Sequence, residues 1–215
     1  MIKGVIFDFD GTLAHKKKSM DPKMLCEMLR ENGVDVYYQE WEAAHKFVFF
    51  VEYPKGKINS YEDYFSRVLE VLGIKPKKEI VNKIVRYARE NDRFDLFPDV
   101  KFIRGLKIKK AILTTIPFFR FDHLNLAGFD PVFTGKEIGR AKPHPNGFLG
   151  ILKKWNLKSE EVLMVGDDLY CDILPARQLG IRTVFIVRQR KQADKGDGEA
   201  DFTISSLKEI ARIIK

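Results

Sequence analysis

Short, uniformly apolar segments recur along the chain, and they are the strongest constraint on its fold. Each is three to five residues long and rich in branched side chains, which is typical of a parallel strand covered on both faces. Helical patterns separate most of them, and this alternation predicts a doubly wound α/β sheet. The apolar segments span residues 5–7, 111–113, 162–165, 183–187 and 202–204, and the helical patterns span 99–106, 144–155, 171–179 and 206–214.

A helical region interrupts the alternation after the first apolar segment. Four helical patterns, without a strand between them, span residues 22–31, 39–51, 60–72 and 77–89. Turn-forming Gly, Pro and Asn residues separate these helices. With 215 residues and 45% hydrophobic side chains, the chain is large enough for a main core and a smaller module. We predict a core domain of residues 1–15 and 95–215, with a helical domain of residues 16–94 inserted in it.

Two carboxylates one residue apart end the first apolar segment, in the sequence VIFDFDGTL. Residues two apart in a strand point to the same side, so Asp8 and Asp10 should project together. Two unpaired carboxylates at that distance repel each other, and burying them requires a cation, a shared proton or water. A divalent metal ion satisfies this requirement, although a solvated polar strand end would produce the same pattern.

Three further polar groups follow later strands. Thr114 and Thr115 end the second apolar segment, where a hydroxyl and backbone N–H groups can bind a phosphoryl oxygen. Lys142 precedes a predicted helix and could neutralise an anion, although an isolated lysine is usually solvated. The sequence VLMVGDDLYCDI then places Asp167, Asp168 and Asp172 after a strand. A helix cap would account for one of these acids but not for all three.

These groups are predicted to converge in space. In open α/β sheets, ligands bind beyond the carboxyl ends of the strands, and each of the polar groups lies at or just after such an end or in the loop that follows. Carboxylate oxygens are the ligands that a hard cation such as Mg²⁺ prefers. The sequence therefore favours one site that holds a magnesium ion and a phosphate group.

Read in order, four motifs resemble those of the haloacid dehalogenase-like hydrolase superfamily, in its phosphatase branch. The motifs are DFDGTL at residues 8–13, AILTT at 111–115, RAKPHP at 140–145 and VGDDLYCDI at 165–173. The resemblance spans the whole chain and implies a Rossmann-like three-layer core with a parallel sheet. The helical insert resembles the cap domain that this superfamily places after its first motif.

The resemblance also implies residue roles. Asp8 would be the nucleophile that forms an aspartyl-phosphate, and Asp10 would be the acid/base. Thr114 and Lys142 would hold phosphoryl oxygens, with Thr115 beside them at a position where the family often has Asn or Gly. Mg²⁺ would be held by the Asp8 carboxylate, the Asp10 backbone carbonyl and Asp167. Asp172, with Asp168 nearby, would orient Lys142 or the water around the metal ion.

Three other activities remain open on the sequence. A 2-haloacid dehalogenase of the same superfamily would need neither a leaving-group acid such as Asp10 nor a metal ligand such as Asp167. A phosphomutase would use the same core, and only the exclusion of water would separate it from a phosphatase. A phosphoacceptor signalling domain would not need the long helical insert.

Composition and charge limit the classes of partner that we expect this protein to bind. The formal net charge is +8, but acidic residues lie among the lysines, as on solvated helix faces, so we expect no nucleic-acid partner. No window is apolar enough for a membrane span, and the two cysteines show no disulfide or zinc spacing. We expect a cytoplasmic enzyme, monomeric or dimeric, that acts on a small phosphorylated metabolite.

Overall fold

A computed structural model of the protein describes residues 1–188 and 198–215. The chain divides into two compact units. The first unit contains Met1–His15, Asp95–Ile116 and Leu124–Lys215, and the second contains Lys16–Phe94 and Pro117–His123. We call them the core unit and the helical unit. Within the described residues, no helix has the length and hydropathy that crossing a bilayer requires.

Six parallel strands form the sheet of the core unit, in the order β5-β4-β1-β6-β7-β8. Strands β2 and β3 form a separate two-stranded sheet. The predicted α/β fold with a parallel sheet is therefore confirmed. The strands are β1 Gly4–Phe7, β2 Ala14–Lys18, β3 Arg93–Leu96, β4 Lys109–Leu113, β5 Val132–Phe133, β6 Val162–Gly166, β7 Arg182–Ile186 and β8 Phe202–Ile204.

Strand β1 lies at the centre of the sheet, and its register determines where the polar groups emerge. All four of its residues are buried, as the uniformly apolar pattern predicted. Phe7 pairs with Ile112 of β4 on one side and with Val165 of β6 on the other. The residues that follow these three strands therefore leave the sheet at the same edge.

The helices described in the core unit lie within segments that the sequence predicted, except for the short helix Gly135–Ile138, which was not predicted. Their bounds are α5 Val100–Arg104, α6 Gly135–Ile138, α7 Asn146–Trp155, α8 Leu174–Gln178 and a last short helix, Ile210–Ile213. Phe148 and Ile151 of α7 belong to one buried cluster with Ile6 and Met164 of the sheet. Gly147 permits this close approach, because a Cβ atom there would overlap the Leu113 side chain.

The helical unit contains four helices, and all four had been predicted. They are α1 Pro22–Glu31, α2 Tyr38–Phe47, α3 Tyr61–Val71 and α4 Lys78–Asn91, and α2 continues through a wider turn, Val48–Glu52. Side chains cap two of them: the Asp21 carboxylate accepts from Lys23 N at 2.8 Å, and Ser60 Oγ accepts from Asp63 N at 3.1 Å. Trp41, Phe65 and their neighbours fill a separate buried cluster, so the unit has a core of its own.

The segment Pro117–His123 belongs to the helical unit, whereas the sequence analysis assigned it to the core. The reason is side-chain packing. The ring of Phe119 lies 4.9 Å from that of Tyr61, centroid to centroid. The guanidinium group of Arg120 donates to Asp92 in two bonds of 2.6 and 2.7 Å. Neither contact could be recognised from the sequence close to these residues.

Strands β2 and β3 and the two-residue strand β5 were not predicted. His15 and the three lysines that follow it show no apolar alternation that would indicate a strand. In the structure the four side chains are exposed, yet the segment is extended and belongs to the two-stranded sheet. Backbone pairing rather than burial defines this element.

His45 in α2 is a titratable group inside the helical unit. Its ring Nδ1 lies 3.1 Å from the Tyr64 hydroxyl. Burial lowers the pKa of His45 to about 4, and the positive charge of Arg120 adds to the shift. The negative charge of Asp92, and more weakly that of Glu42, acts to raise this pKa. The positive charge of Lys16 acts to lower it. The ring is therefore neutral at neutral pH.

This pKa predicts how stability depends on pH. Below pH 6.5 the unfolded chain takes up a proton at His45 that the folded chain excludes until about pH 4. The free energy of unfolding should therefore fall as pH drops through this window, by on the order of 3 kcal/mol from this group. Urea unfolding followed by tryptophan fluorescence at pH 7 and pH 4.5 measures it. His45→Gln should lose clearly less stability than the parent, and an equal loss would contradict the assignment.

Candidate active site

The predicted site residues lie at the carboxyl edge of the sheet. Asp8 directly follows β1, and its N–H donates to Val165 O of β6 at 2.9 Å. Thr114 directly follows β4, and its N–H donates to Phe133 O of β5 at 2.9 Å. Asp167 directly follows β6. Ladder hydrogen bonds at the strand ends thus fix the backbone of these residues.

Lys142 joins two of the acids. Its Nζ lies 2.5 Å from Asp8 Oδ1 and 2.5 Å from Asp172 Oδ1. The lysine side chain is only 3% exposed, so both ion pairs are shielded from water. Burial alone would lower the pKa of Lys142, but the charges of Asp172 and Asp8 outweigh burial and raise it. The ammonium group therefore stays protonated.

Three carboxylates surround this one cation. Oxygen atoms of Asp8, Asp167 and Asp172 all lie within 4.8 Å of one another. Burial raises the pKa of Asp167 to about 7, and the neighbouring Asp8 charge adds to the shift. Burial also raises the pKa of Asp172, against the opposing effect of Lys142. One ammonium group cannot balance three carboxylates, of which Asp8 and Asp172 are buried and Asp167 is half-buried, so the ionised cluster has an excess of negative charge.

A hard divalent cation fits this cluster. Carboxylate oxygens at such spacing are suitable ligands for Mg²⁺, and the ion would compensate the charge that Lys142 leaves. Both oxygens of Asp172 already accept hydrogen bonds, from Lys142 and, at 3.2 Å, from Asp168 N. Asp172 therefore orients Lys142, and Asp8 and Asp167 are the carboxylates that could bind such an ion directly.

Two glycines make room for the acids. Gly11 has φ +83°, a left-handed conformation that a side chain disfavours, and a Cβ atom there would overlap the Asp167 carboxylate. Gly166 has no such backbone requirement, but a Cβ atom there would overlap the carboxyl group of Asp172. Neither close approach could be recognised from the sequence around the two glycines.

The other predicted residues lie in this region with different contacts. Asp10 is half-buried, forms a backbone bridge with Ala14, and its charge contributes to the raised pKa of Asp167. The buried Thr114 hydroxyl accepts from Ile116 N at 3.1 Å, and Thr115 is half-buried. A catalytic or phosphate-binding role for Asp10, Thr114 and Thr115 remains a prediction.

Asp168 caps the turn that follows β6. Its Oδ1 accepts from Tyr170 N and Cys171 N, each at 2.8 Å. Its carboxylate is not part of the group formed by Asp8, Asp167 and Asp172. The supporting role predicted for Asp168 is thus best explained by capping, with its N–H directed to Asp172.

Arg188 and Asp99 hold the turn after Asp10, and sequence reasoning missed both. The guanidinium group donates to Asp99 at 2.7 and 3.1 Å and to the Thr12 carbonyl at 2.5 Å, and it lies 4.0 Å from the ring centre of Phe97. Asp99 also accepts from the Leu207 N–H at 2.9 Å. A basic residue just after β7, at the same edge as the acids, was the available sequence signal.

A buried lysine among carboxylates, at the carboxyl edge of a parallel α/β sheet, defines an enzyme of the α/β class with an anion- and cation-binding site. Comparison with known families is more specific. The haloacid dehalogenase-like hydrolase family matches residues 2–180, and the chain belongs to that family.

Curated relatives place the chain in the phosphatase branch. A glyceraldehyde 3-phosphate phosphatase of Methanocaldococcus jannaschii is 30% identical over 231 residues, covering 100% of this chain and 98% of the relative. A ribulose-1,5-bisphosphate 5-phosphatase of Halopiger xanaduensis is also 30% identical, over 240 residues, and each chain is covered completely. The two relatives differ in substrate, although the name of each describes a phosphatase.

Solved structures support the fold. A 2-haloacid dehalogenase of Pseudomonas syringae superposes with a TM-score of 0.73 at 22% identity, covering 100% of this chain and 98% of the other. At this identity the similarity concerns the architecture. It confirms the Rossmann-like α/β core that the sequence motifs implied.

The packing at Gly166 gives a stability prediction. Because an added methyl group would displace Asp172 from Lys142, Gly166→Ala should lower the free energy of unfolding by about 1–3 kcal/mol. Gly105→Ala is the matched control, since no atom lies within 4 Å of a Cβ atom there and its φ is −76°. Urea unfolding of the two variants checks the difference. Equal stability of both variants would contradict the packing.

Proposed function

We propose that the protein is a magnesium-dependent phosphatase that hydrolyses small phosphate monoesters through an aspartyl-phosphate on Asp8. The observation that carries the proposal is the buried cluster of Asp8, Lys142 and Asp172, with an Asp167 oxygen within 4.8 Å of oxygens of both acids. Membership of the hydrolase family and the phosphatase relatives support it. The cluster combines a nucleophile with positive charge for the phosphoryl oxygens.

In the first step, a carboxylate oxygen of Asp8 attacks phosphorus. An Asp–O–P bond forms, the bond between phosphorus and the alcohol oxygen breaks, and Asp10 donates a proton to the leaving alkoxide. Lys142 stabilises the charge that spreads over the phosphoryl oxygens. It can do so throughout the reaction because its pKa is raised.

In the second step, water hydrolyses the aspartyl-phosphate. Asp10, now ionised, takes a proton from water, the hydroxide oxygen attacks phosphorus, and the Asp8 carboxylate is released with inorganic phosphate. The single proton thus moves from Asp10 to the alcohol and returns from water. Two displacements replace one difficult displacement, which is the usual advantage of covalent catalysis.

The acids would also hold the cofactor. The Asp8 and Asp167 carboxylates, together with the Asp10 backbone carbonyl, would bind Mg²⁺. When bound, the ion supplies positive charge to the phosphoryl group and to the attacking carboxylate. Thr114, with Thr115 beside it, would add hydrogen bonds to phosphoryl oxygens at the end of β4.

The helical unit would act as the cap of this site. The proposed division is a core of residues 1–15 and 95–215 with a cap of residues 16–94, to which the packing of Pro117–His123 adds a further segment. A cap that excludes water would favour phosphoryl transfer to Asp8 over side reactions. It would also be the place where substrate specificity is determined.

The other activities of the superfamily have less support. The fold similarity to a 2-haloacid dehalogenase does not extend to chemistry at 22% identity. Asp10 and Asp167 have no function in carbon–halogen cleavage, whereas both have one in phosphate ester hydrolysis. A phosphomutase would show phosphoryl transfer between sugars rather than phosphate release, so the same assays distinguish it.

Replacement of the nucleophile tests the mechanism. Asp8→Asn should lower phosphate release from every monoester by about 10³-fold or more, because the carboxylate that accepts the phosphoryl group is lost. Asp130→Asn is a matched control, since the Asp130 side chain is 80% exposed and lies outside the cluster. Steady-state release of phosphate from a panel of small phosphate esters measures both variants. Hydrolysis that persists in Asp8→Asn would exclude the aspartyl-phosphate, and halide release from a 2-haloacid would indicate a dehalogenase.

Metal dependence gives a second test. A chelator should abolish phosphate release, and Mg²⁺ should restore it. Asp167→Asn should raise the Mg²⁺ concentration for half-maximal activity at least about 10-fold, because one charged ligand is lost. The same titration with Asp130→Asn provides the control. Full activity in the presence of the chelator would contradict a metal-dependent mechanism.

A further inference from the structure

The turn that contains Asp10 is built around one backbone carbonyl, that of Phe9. The N–H groups of Leu13 and Ala14 donate to this carbonyl at 2.9 and 2.8 Å. Gly11 N donates to Ala14 O at 2.7 Å, which closes the turn. Phe9 is completely buried, so these bonds are shielded from water. The turn is therefore a compact backbone unit, and Asp10 lies inside it.

Hydrogen bonds from later segments of the core unit hold the outer part of this turn. Phe97 N donates to Leu13 O at 2.9 Å. The guanidinium group of Arg188 donates to Thr12 O at 2.5 Å. Thr12 is completely buried, so its carbonyl would have no water to replace this donor. Arg188 is thus an important anchor of the turn.

Arg188 is itself held in one orientation. Its guanidinium group donates to both Asp99 oxygens, at 2.7 and 3.1 Å, and lies 4.0 Å from the centre of the Phe97 ring. Asp99 also accepts from the Leu207 N–H at 2.9 Å and from the Ser206 hydroxyl at 3.0 Å. The Arg188 and Asp99 side chains are only 10% and 13% exposed. The planar guanidinium group is therefore a rigid donor to the turn.

The charge of Arg188 is compensated within this cluster. Burial alone would raise the pKa of Asp99, but hydrogen bonds from Arg188 and Leu207 outweigh burial and lower it. Asp99 is therefore ionised at neutral pH. An arginine that is paired with a carboxylate in two bonds attracts a further anion only weakly. This pairing favours a positioning role for Arg188 over direct binding of the phosphoryl group.

The proposed leaving-group acid depends on this turn more than the proposed nucleophile does. Proton transfer requires the donor within hydrogen-bond reach of the leaving oxygen, and a displacement of about 1 Å can cost about 10²-fold in rate. Asp10 lies two residues from Thr12, inside the same turn. Asp8, by contrast, is fixed by its N–H bond to Val165 O and by Lys142.

We infer that Arg188 is a positioning residue for the leaving-group acid. Through the Thr12 carbonyl it holds Asp10 where the carboxyl group can pass its proton to the alcohol oxygen as the bond from that oxygen to phosphorus breaks. This inference rests on the proposed phosphatase function. The guanidinium group acts through the backbone of the turn and not through contact with the substrate. Its contribution therefore depends on how strongly the leaving oxygen needs a proton.

Two esters with different leaving groups test this role. The aliphatic ester of the panel with the highest kcat/KM, for example glycerol 3-phosphate, releases a strongly basic alkoxide that must be protonated. p-Nitrophenyl phosphate releases a phenolate that is stable near neutral pH and needs no acid. The measured quantity is the ratio of kcat/KM for the aliphatic ester to that for p-nitrophenyl phosphate, in saturating Mg²⁺. Because kcat/KM covers the steps up to phosphoryl transfer to Asp8, hydrolysis of the aspartyl-phosphate does not enter the ratio.

Removal of the guanidinium group should change this ratio. Arg188→Met should lower it at least about 10-fold, because a misplaced acid slows only the ester that needs its proton. The kcat/KM for p-nitrophenyl phosphate should change by less than about 3-fold. Arg182→Met is the matched control, since it makes the same substitution at the exposed first residue of β7, and it should leave the ratio unchanged.

A second variant keeps the inference testable if Arg188→Met does not fold. Asp99→Asn retains Arg188 but weakens its anchor, so the ratio should fall in the same direction by a smaller factor. Circular dichroism of each variant verifies folding before the ratios are compared. An equal fall for both esters would show that Arg188 acts on the shared phosphoryl group or on folding, and it would overturn the inference. An unchanged ratio in the folded variants would overturn it as well.

Asp10→Asn separates this inference from the function on which it rests. This variant should lower the ratio at least as strongly as Arg188→Met, because it removes the acid itself. If Asp10→Asn slows both esters equally, Asp10 is not the leaving-group acid, and the inference about Arg188 is wrong even though the protein is a phosphatase. If the unmodified protein hydrolyses neither ester in Mg²⁺, the phosphatase function itself fails.

Discussion

The ammonium group of Lys142 is the interaction on which the site depends. It binds two carboxylates that are 134 and 30 residues away in the sequence, and it does so where water is nearly excluded. Without this cation, Asp8 and Asp172 would be two buried charges of the same sign, which no packing could compensate. The register of β1 between β4 and β6 makes the arrangement possible, because it brings the ends of distant segments to one edge. The topology of the sheet therefore determines which charged groups can meet in the site.

Much of this arrangement could be predicted from the sequence, because the physics involved is local or topological. Apolar segments such as residues 162–165 indicate buried parallel strands, and the carboxyl ends of parallel strands share an edge. The convergence of Asp8, Lys142 and Asp172 follows from those two facts. The helices of the insert were equally accessible, since amphipathic periodicity and caps such as Asp21 and Ser60 are short-range signals.

The features that escaped prediction depend on contacts between distant residues. Neither Gly11 nor Gly166 shows in its own sequence context that a carboxylate will lie against it. The bond from Arg188 to the Thr12 carbonyl joins residues 176 apart in the sequence. The exposed lysines of β2 give no sign in the sequence that this segment pairs as a strand. The packing of Pro117–His123 with the helical unit has the same origin. Its membership is determined by partners such as Asp92 and Tyr61, which periodicity cannot identify.

That segment has a consequence for how the two units could have been exchanged among related proteins. Because the helical unit contains both Lys16–Phe94 and Pro117–His123, the chain passes between the units four times rather than twice. If residues 16–94 of one protein replaced those of another, the residue at position 92 would come from the donor and the residue at position 120 from the recipient. The two segments must therefore change together, because the buried ion pair between Arg120 and Asp92 joins a residue of each.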